Sequence, residues 1–347
     1  LPGIAVFAAA NRAGIPWLVT PVDYRFCCPQ VFLLEQLQRP CSGPDPGHEK
    51  CAHCLATPHS SRDSRYYRIL QAILEFLYRT GSRRLVPARR LPRLPAYYPA
   101  DRLQHRARMI REILDTCSRI VTFSQAHSNA LGEMLNLPSS LFEKVPLQSE
   151  GPPPGYRPDP DRFSRPLRFL WIHRLAREWG AYLVLDAWRQ AAPPTVEAQL
   201  WMYSTPGAER DIRAAGYGDL VDRGAVVVRE ERVMGREDEV LSKASAVIWA
   251  PLWNTNGYSF DPFAYEFPVI YAACPAFTEF LRDGINGFSF FQGSSVDLAK
   301  RLRMLIRDPE QLARAALNNT FHEEYGLDWC GRHYVSIYES VLLSRNR

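Results

Sequence analysis

The sequence predicts an α/β protein built from two Rossmann-like, doubly wound parallel sheets, and three observations carry that expectation. The first is the stretch 246–290. Ala246–Ala250 is an apolar run of strand length, Asn254–Gly257 a polar loop, and Pro268-Val269-Ile270 a second buried run. Asp283-Gly284-Ile285-Asn286-Gly287 then turns into a third run around Phe288–Phe290. Short β-branched runs separated by helical segments are the pattern of a parallel sheet covered on both faces. The second observation is that the same alternation begins earlier, at Leu167–Ile172, Glu197–Tyr203 and Ala225–Val228. The third is the Gly/Pro-dense stretch Gly151–Pro160, which reads as a linker between two folded parts. The expected division is therefore a first domain over 1–150, a linker over 151–166, a second domain over 167–328 and a closing helix over 329–347. In doubly wound sheets a ligand lies outside the carboxyl ends of the strands, which directs attention to the loop Trp253–Ser259.

The bulk numbers agree with two ordinary globular domains: 347 residues, 46% hydrophobic and 23% charged. No apolar run is long enough to span a bilayer, and the start has no signal-peptide pattern. Four cysteines crowded between Cys28 and Cys54 do not resemble a secreted disulfide scaffold in a chain of this size, so a reducing, cytoplasmic location is expected. Arginines recur between Arg62 and Arg111 with few acids among them. Such a segment suits phosphorylated substrate, anionic lipid or nucleic acid, or is simply a solvated basic face.

In chain order, Ile4–Ala13 reads as a helix, Gly14-Ile15-Pro16 as a turn and Trp17–Thr20 as a buried strand. Cys28, Cys41, Cys51 and Cys54 follow, with turn residues at Gly43–Gly47 and a C-x-x-C pair at the end. Four thiolates so spaced suit a tetrahedral structural zinc, with His48 and His53 as substitute ligands; a redox pair or unligated thiols are the alternatives. Ser64–Tyr78 has apolar residues at helical spacing, and Leu85–Pro99 reads as an exposed Pro/Arg loop. A helix is expected over Asp101–Ser118, a strand over Arg119–Phe123, and a helix start at Ser124–Ser128. In the second domain, Tyr182–Gln190 and Val233–Ala244 read as helices, and Val296–Leu305, Pro309–Asn318 and Cys330–Leu343 as closing amphipathic helices.

Several of these segments, in order and over most of the chain, resemble the retaining glycosyltransferases of the two-Rossmann-domain (GT-B) family 4. The segments are Ala13-Gly14-Ile15-Pro16 with Val22-Asp23-Tyr24, Arg174-Leu175 with Glu178 and Gly180, Ala250-Pro251, Phe267-Pro268-Val269-Ile270, Thr278-Glu279-Phe280-Leu281, Asp283–Gly287, and Tyr338-Glu339. The resemblance implies a GT-B fold whose N-terminal domain is incomplete, because family members carry further strand–helix units before the point at which this chain begins. It implies a nucleotide-diphosphate sugar as donor, a carbohydrate or lipid-linked acceptor, and no metal at the reaction centre. The acceptor would belong to envelope, capsule or exopolysaccharide synthesis, the segment 62–93 would face the acceptor or a membrane surface, and no nucleic acid is expected.

The resemblance also implies roles for particular residues. Arg174 would neutralise the diphosphate and, with Asp23, belong to the catalytic centre. Gly257, Tyr258, Ser259 and Glu279 would contact the donor, and Arg229–Val233 would lie in the loop that cups the base. Asp261 would accept the ribose hydroxyls, or serve only as a charge at a helix start. A Cys-rich insert like that of residues 27–54 occurs in some members. Three positions depart from the family pattern: Val22 stands where the family has His, Trp179 where it has Lys, and Trp253 or Asn254 where it has the first Glu. His173, if protonated, or Arg177 would be the substitutes for the missing cation. Two readings follow: an active retaining transferase, or a descendant of that fold that binds a sugar, nucleotide or partner without catalysis. A zinc-containing nucleic-acid binder would leave the second domain unexplained.

Overall fold

The computed structural model describes residues 4–35, 39–56, 99–146, 154–231, 233, 236–253, 264–319 and 326–345. The expected helix Ser64–Tyr78 and loop Leu85–Pro99 lie outside the described residues, apart from Pro99. The chain divides into two compact units, Leu1–Val121 with Ser128–Glu143 and Thr122–His127 with Lys144–Arg347.

The first unit contains a small sheet. Strand β1 (Leu18–Val19) lies parallel to β4 (Arg119–Thr122), and β5 (Phe142–Lys144) completes the order β1-β4-β5. Between β1 and β4 in sequence, β2 (Leu34–Glu35) and β3 (Arg39–Pro40) pair antiparallel. Ile120 and Val121 of β4 are buried, as the apolar run foretold. The helix expected over Asp101–Ser118 spans Ala100–Leu114 and buries Leu103, Ile110 and Leu114 along one face. It stops there because the chain turns, the Thr116 hydroxyl donating to the carbonyl of Ile113 at 2.6 Å. The hairpin β2–β3 and strand β5 were not legible in the sequence, since none of the three has the alternating or continuous apolar pattern of a longer strand.

The second unit is a six-stranded sheet of order β11-β10-β9-β6-β7-β8. Its strands are β6 (Leu167–Ile172), β7 (Ala198–Tyr203), β8 (Val226–Arg229), β9 (Ala246–Trp249), β10 (Val269–Ala272) and β11 (Gly287–Phe290), and every adjacent pair is parallel. The chain runs outward from β6 to β8, returns to β9 on the other side of β6, and runs outward again to β11. The direction of winding therefore reverses between β6 and β9. All four residues of β9 and of β10 are buried, which is why these strands read as continuous apolar runs.

Helices cover both faces. On one, Ala181–Ala191 and Ser295–Arg307 pack over Phe169, Trp171, Leu200, Ile248 and Phe288. Trp188 meets Phe169 with ring centroids 5.6 Å apart, and burying side chains of this size contributes roughly 1.5–3 kcal/mol each. The helix Ser295–Arg307 starts where the Ser294 hydroxyl accepts from the amide of Asp297 at 3.1 Å. On the other face, Val240, Leu241, Phe277 and Leu281 cover Leu170, Val247, Trp249 and Tyr271. The helix expected over Val233–Ala244 is shortened to Glu237–Leu241. Arg236, just before it, is held by Glu231 at 2.6 Å and Glu239 at 2.8 Å, and its amide donates to the Val233 carbonyl at 2.7 Å. The helices Glu310–Leu317 and Leu327–Arg345 agree with the sequence reading to within a few residues. No described helix is long and apolar enough to cross a membrane.

One close approach fixes this sheet. Gly180 has φ +75°, and a Cβ placed on it would lie 1.8 Å from the carbonyl oxygen of Ala250 at the end of β9. Only glycine has both the left-handed conformation and the space. Gly180→Ala is expected to lower the unfolding free energy by about 3 kcal/mol or more, measured by urea denaturation. A change within experimental error would show that the contact is not needed.

Candidate active site at the switch point of the second sheet

The loop leaving β6 and the loop leaving β9 meet where the winding reverses. The amide of Leu252 donates to the carbonyl of Glu178 at 3.0 Å, two residues from the Gly180–Ala250 approach. In open α/β sheets this crevice is where ligands bind, because the two loops diverge to opposite faces and leave a gap lined by backbone amides.

Arg174 stands in the first of these loops. Its Nη2 donates to Glu178 Oε1 at 2.8 Å, the Arg174 side chain being 54% exposed and that of Glu178 10%. A largely buried carboxylate thus fixes one edge of a guanidinium whose remaining donors face solvent. Such a group is preoriented for an anionic ligand, and phosphate oxygens fit its planar fork.

His173 precedes Arg174 and is not the substitute cation that the sequence suggested. Its Nδ1 accepts a hydrogen bond from the amide of Arg174 at 2.9 Å, a role open only to the neutral ring. Burial, helped by the adjacent Arg174 charge, lowers its pKa to about 4. The ring stacks on Trp179 with centroids 3.7 Å apart and planes at 21°, and Trp179 meets Trp253 edge-on at 5.3 Å. Trp253 is 4% exposed. Two positions at which the sequence departs from the glycosyltransferase pattern, Trp179 and Trp253, are therefore parts of one aromatic stack. Arg177, the other suggested substitute, lies with its guanidinium 5.8 Å above the Tyr182 ring.

The other sequence-derived site residues are distributed as follows. Gly257, Tyr258, Ser259 and Asp261 lie outside the described residues, as does the segment 62–93. Glu279 follows the short helix Pro275–Thr278. Its Oε2 and Oε1 accept from the amides of Gln125 and Ala126 at 3.1 and 2.8 Å, and Lys144 Nζ is 3.5 Å away. Its carboxylate is thus engaged at the first turn of the helix Gln125–Leu135, where negative charge is favoured. In the first unit, Asp23 is 7% exposed and forms an ion pair with Arg25, Oδ2 to Nη2 at 2.7 Å, with further bonds from the Arg25 Nε and amide. Val22 beside it is exposed.

The cysteine cluster requires a correction. All eight cysteines are free, and among the described residues no group of three or more His, Cys, Asp or Glu side chains could hold a metal ion. The zinc site expected at Cys28, Cys41, Cys51 and Cys54 thus finds no support. The thiols are instead taken up locally. Cys41 Sγ donates to the Gly43 carbonyl and accepts from its amide, while Cys54 Sγ accepts from Gln30 Nε2 at 3.3 Å. Burial raises the pKa of Cys28, and burial followed by the neighbouring Cys28 and Cys41 raises that of Cys51 to about 12.

Sequence reasoning placed Arg174 and Glu178 in one local motif but identified neither the ion pair between them nor the aromatic stack. The signal for the stack was the pair of tryptophans at positions where polar residues were expected. The neutral His173 has a thermodynamic consequence. Between pH 6.5, its ordinary value, and about 4, the unfolded chain binds this proton while the folded chain does not. Stability is therefore fully present above about pH 6.5 and falls as pH drops toward 4. In urea titrations across that window, His173→Gln is expected to show a shallower fall than the wild type; parallel curves would contradict the buried neutral ring.

Neither a protein-family model nor a curated protein sequence matches this chain. Solved structures do. The chain is similar to Anabaena HepE in complex with UDP and glucose, with a TM-score of 0.57, 17% identity, and coverage of 68% of this chain and 67% of that one. It is similar to sucrose-phosphate synthase from Thermosynechococcus elongatus, with a TM-score of 0.57, 15% identity, and coverage of 70% and 62%. A glycosyltransferase from Rickettsia africae matches with a TM-score of 0.53, 12% identity, and coverage of 82% and 83%. The chain has the α/β fold of GT-B glycosyltransferases.

Proposed function

We propose that this protein is a glycosyltransferase that moves a sugar from a nucleotide-diphosphate donor to an acceptor hydroxyl with retention, in the manner of family 4. The single observation that carries this reading is Arg174, held by Glu178 in the loop leaving β6 at the switch point of the second sheet. A sugar transfer of this kind leaves a nucleoside diphosphate on which negative charge accumulates as the glycosidic bond breaks. A fixed guanidinium at that position stabilises the transition state more than the ground state, and such terms are worth several kcal/mol in a site shielded from water. HepE has been solved with UDP, with UDP and glucose, and with UDP-glucose, which supports a uridine nucleotide as the first donor to try.

In this reading Gly257, Tyr258 and Ser259 contact the donor from the loop after β9, Asp261 accepts the ribose hydroxyls, Glu279 completes the donor side, and Asp23 serves the reacting sugar. The acceptor is a carbohydrate or a lipid-linked carbohydrate in envelope, capsule or exopolysaccharide synthesis. A TarM variant has been solved in complex with fondaparinux, alpha-GlcNAc-glycerol and UDP, which supports a carbohydrate acceptor. The Arg-rich segment 62–93 would meet the acceptor or the cytoplasmic face of a membrane, and the reaction itself needs no metal.

The His173–Trp179–Trp253 stack favours a second reading, a protein that binds the donor without turning it over. It puts neutral rings where a second cation would assist departure of the diphosphate. The two readings separate in one experiment, which measures UDP binding by calorimetry and release of UDP from UDP-sugars. The transferase reading predicts both, with Arg174→Ala weakening UDP binding by about tenfold or more. Binding without release supports the second reading. UDP affinity unchanged in Arg174→Ala would remove the donor-site assignment from both.

A further inference from the structure

The second unit also holds a cavity on the face of its sheet. It has a volume of about 470 Å³ and lies against the face of the strands β6, β7 and β8, between them and the helix Glu237–Leu241. The register explains its floor. Leu170 pairs with Trp201 and Tyr203 with Arg229, and Arg168 lies two residues before Leu170 on the same face of β6. The short helix covers Leu170 and Tyr203 but leaves Trp201 partly exposed. Arg174 follows the carboxyl end of β6, whereas Arg168 is the second residue of that strand, so this cavity opens on the face of the sheet.

Two guanidiniums converge on the indole of Trp201. That of Arg168 lies 5.5 Å and that of Arg229 5.1 Å from the ring centroid. The indole is itself held, its Nε1 donating to Gln199 Oε1 at 3.2 Å. Among the described residues neither Arg168 nor Arg229 has a carboxylate partner. The two glutamates that line the cavity are already committed to Arg236. Stacking on an aromatic face orients a guanidinium and leaves its in-plane donors free. Asp159 and Lys243 also line the cavity, the Asp159 carboxylate accepting from the amide of Asp161 at 2.9 Å, so four cations face three carboxylates and the two groups on the ring form a preoriented receptor for an oxyanion. The volume falls within the range of small-molecule sites.

We propose that this cavity is a binding site for a small organic phosphate or carboxylate, whose anionic group is held by Arg168 and Arg229 across Trp201. Arg229 also begins the segment Arg229–Val233 that the resemblance sets against the base, so titration with and without UDP shows whether the occupant binds beside a nucleotide. Phosphate esters and carboxylates share the chemistry that two guanidiniums recognise, and the probes distinguish them.

The test is calorimetric titration of the whole protein with inorganic phosphate, glucose 1-phosphate and citrate, each with and without saturating UDP. The proposal predicts that at least one probe binds at a single site whether UDP is present or not. Binding should weaken by about tenfold or more in the double variant Arg168→Gln/Arg229→Gln and stay within about twofold of wild type in Arg174→Ala. Preference for glucose 1-phosphate over citrate would identify a phosphate ester, and the reverse a carboxylate. Each single variant, Arg168→Gln and Arg229→Gln, serves as a check that the loss does not come from misfolding, since each should retain the wild-type melting temperature. Absence of binding by all three probes would overturn the proposal, as would binding lost in Arg174→Ala and kept in the double variant. Failure here leaves the UDP measurements untouched, and failure of those leaves this one standing.

Discussion

The contact between Gly180 and the Ala250 carbonyl is the constraint on which the second unit's site depends. Parallel sheets bring the ends of β6 and β9 side by side, but neighbouring strands alone leave the loops that follow them free to diverge at any distance. Here the left-handed Gly180 admits the Ala250 carbonyl into the space a Cβ would occupy, and the Glu178 carbonyl accepts the Leu252 amide beside it. The two loops are thereby set at fixed spacing. Glu178 is buried by the same packing, and its carboxylate then orients Arg174. A backbone approach thus helps to determine where the Arg174 guanidinium points.

The electrostatics of this crevice follow from its packing. Stacking His173 on Trp179 and Trp179 on Trp253 excludes water from the imidazole, so burial holds it neutral and its Nδ1 is used to accept the Arg174 amide. The stack lends rigidity and apolar surface at the expense of a second positive charge. A guanidinium beside an apolar wall feels a lower local dielectric than one in open water, which strengthens its interaction with an anion.

The sequence was most informative where burial was complete. β9 and β10 are buried at every residue, so their apolar runs could have no other assignment than inner strands, and the turn Asp283–Gly287 between β10 and β11 fixed the pattern. Arg174 and Glu178 were legible as part of a local motif. The Trp179–Trp253 contact was not, because it joins residues distant in sequence through the sheet topology. For Cys28, Cys41, Cys51 and Cys54 spacing alone permits a metal site, and among the described residues no group of side chains supports one. The cavity on Trp201 left no mark in the sequence, since its arginines come from β6 and β8, which flank β7 and do not pair with each other.

The most direct test of the central claim is a crystal structure of the protein with UDP bound. The account predicts the diphosphate at the carboxyl ends of β6 and β9, with its oxygens within hydrogen-bonding distance of the Arg174 guanidinium. A well-ordered diphosphate elsewhere on the chain, with Arg174 still bound only to Glu178, would contradict it.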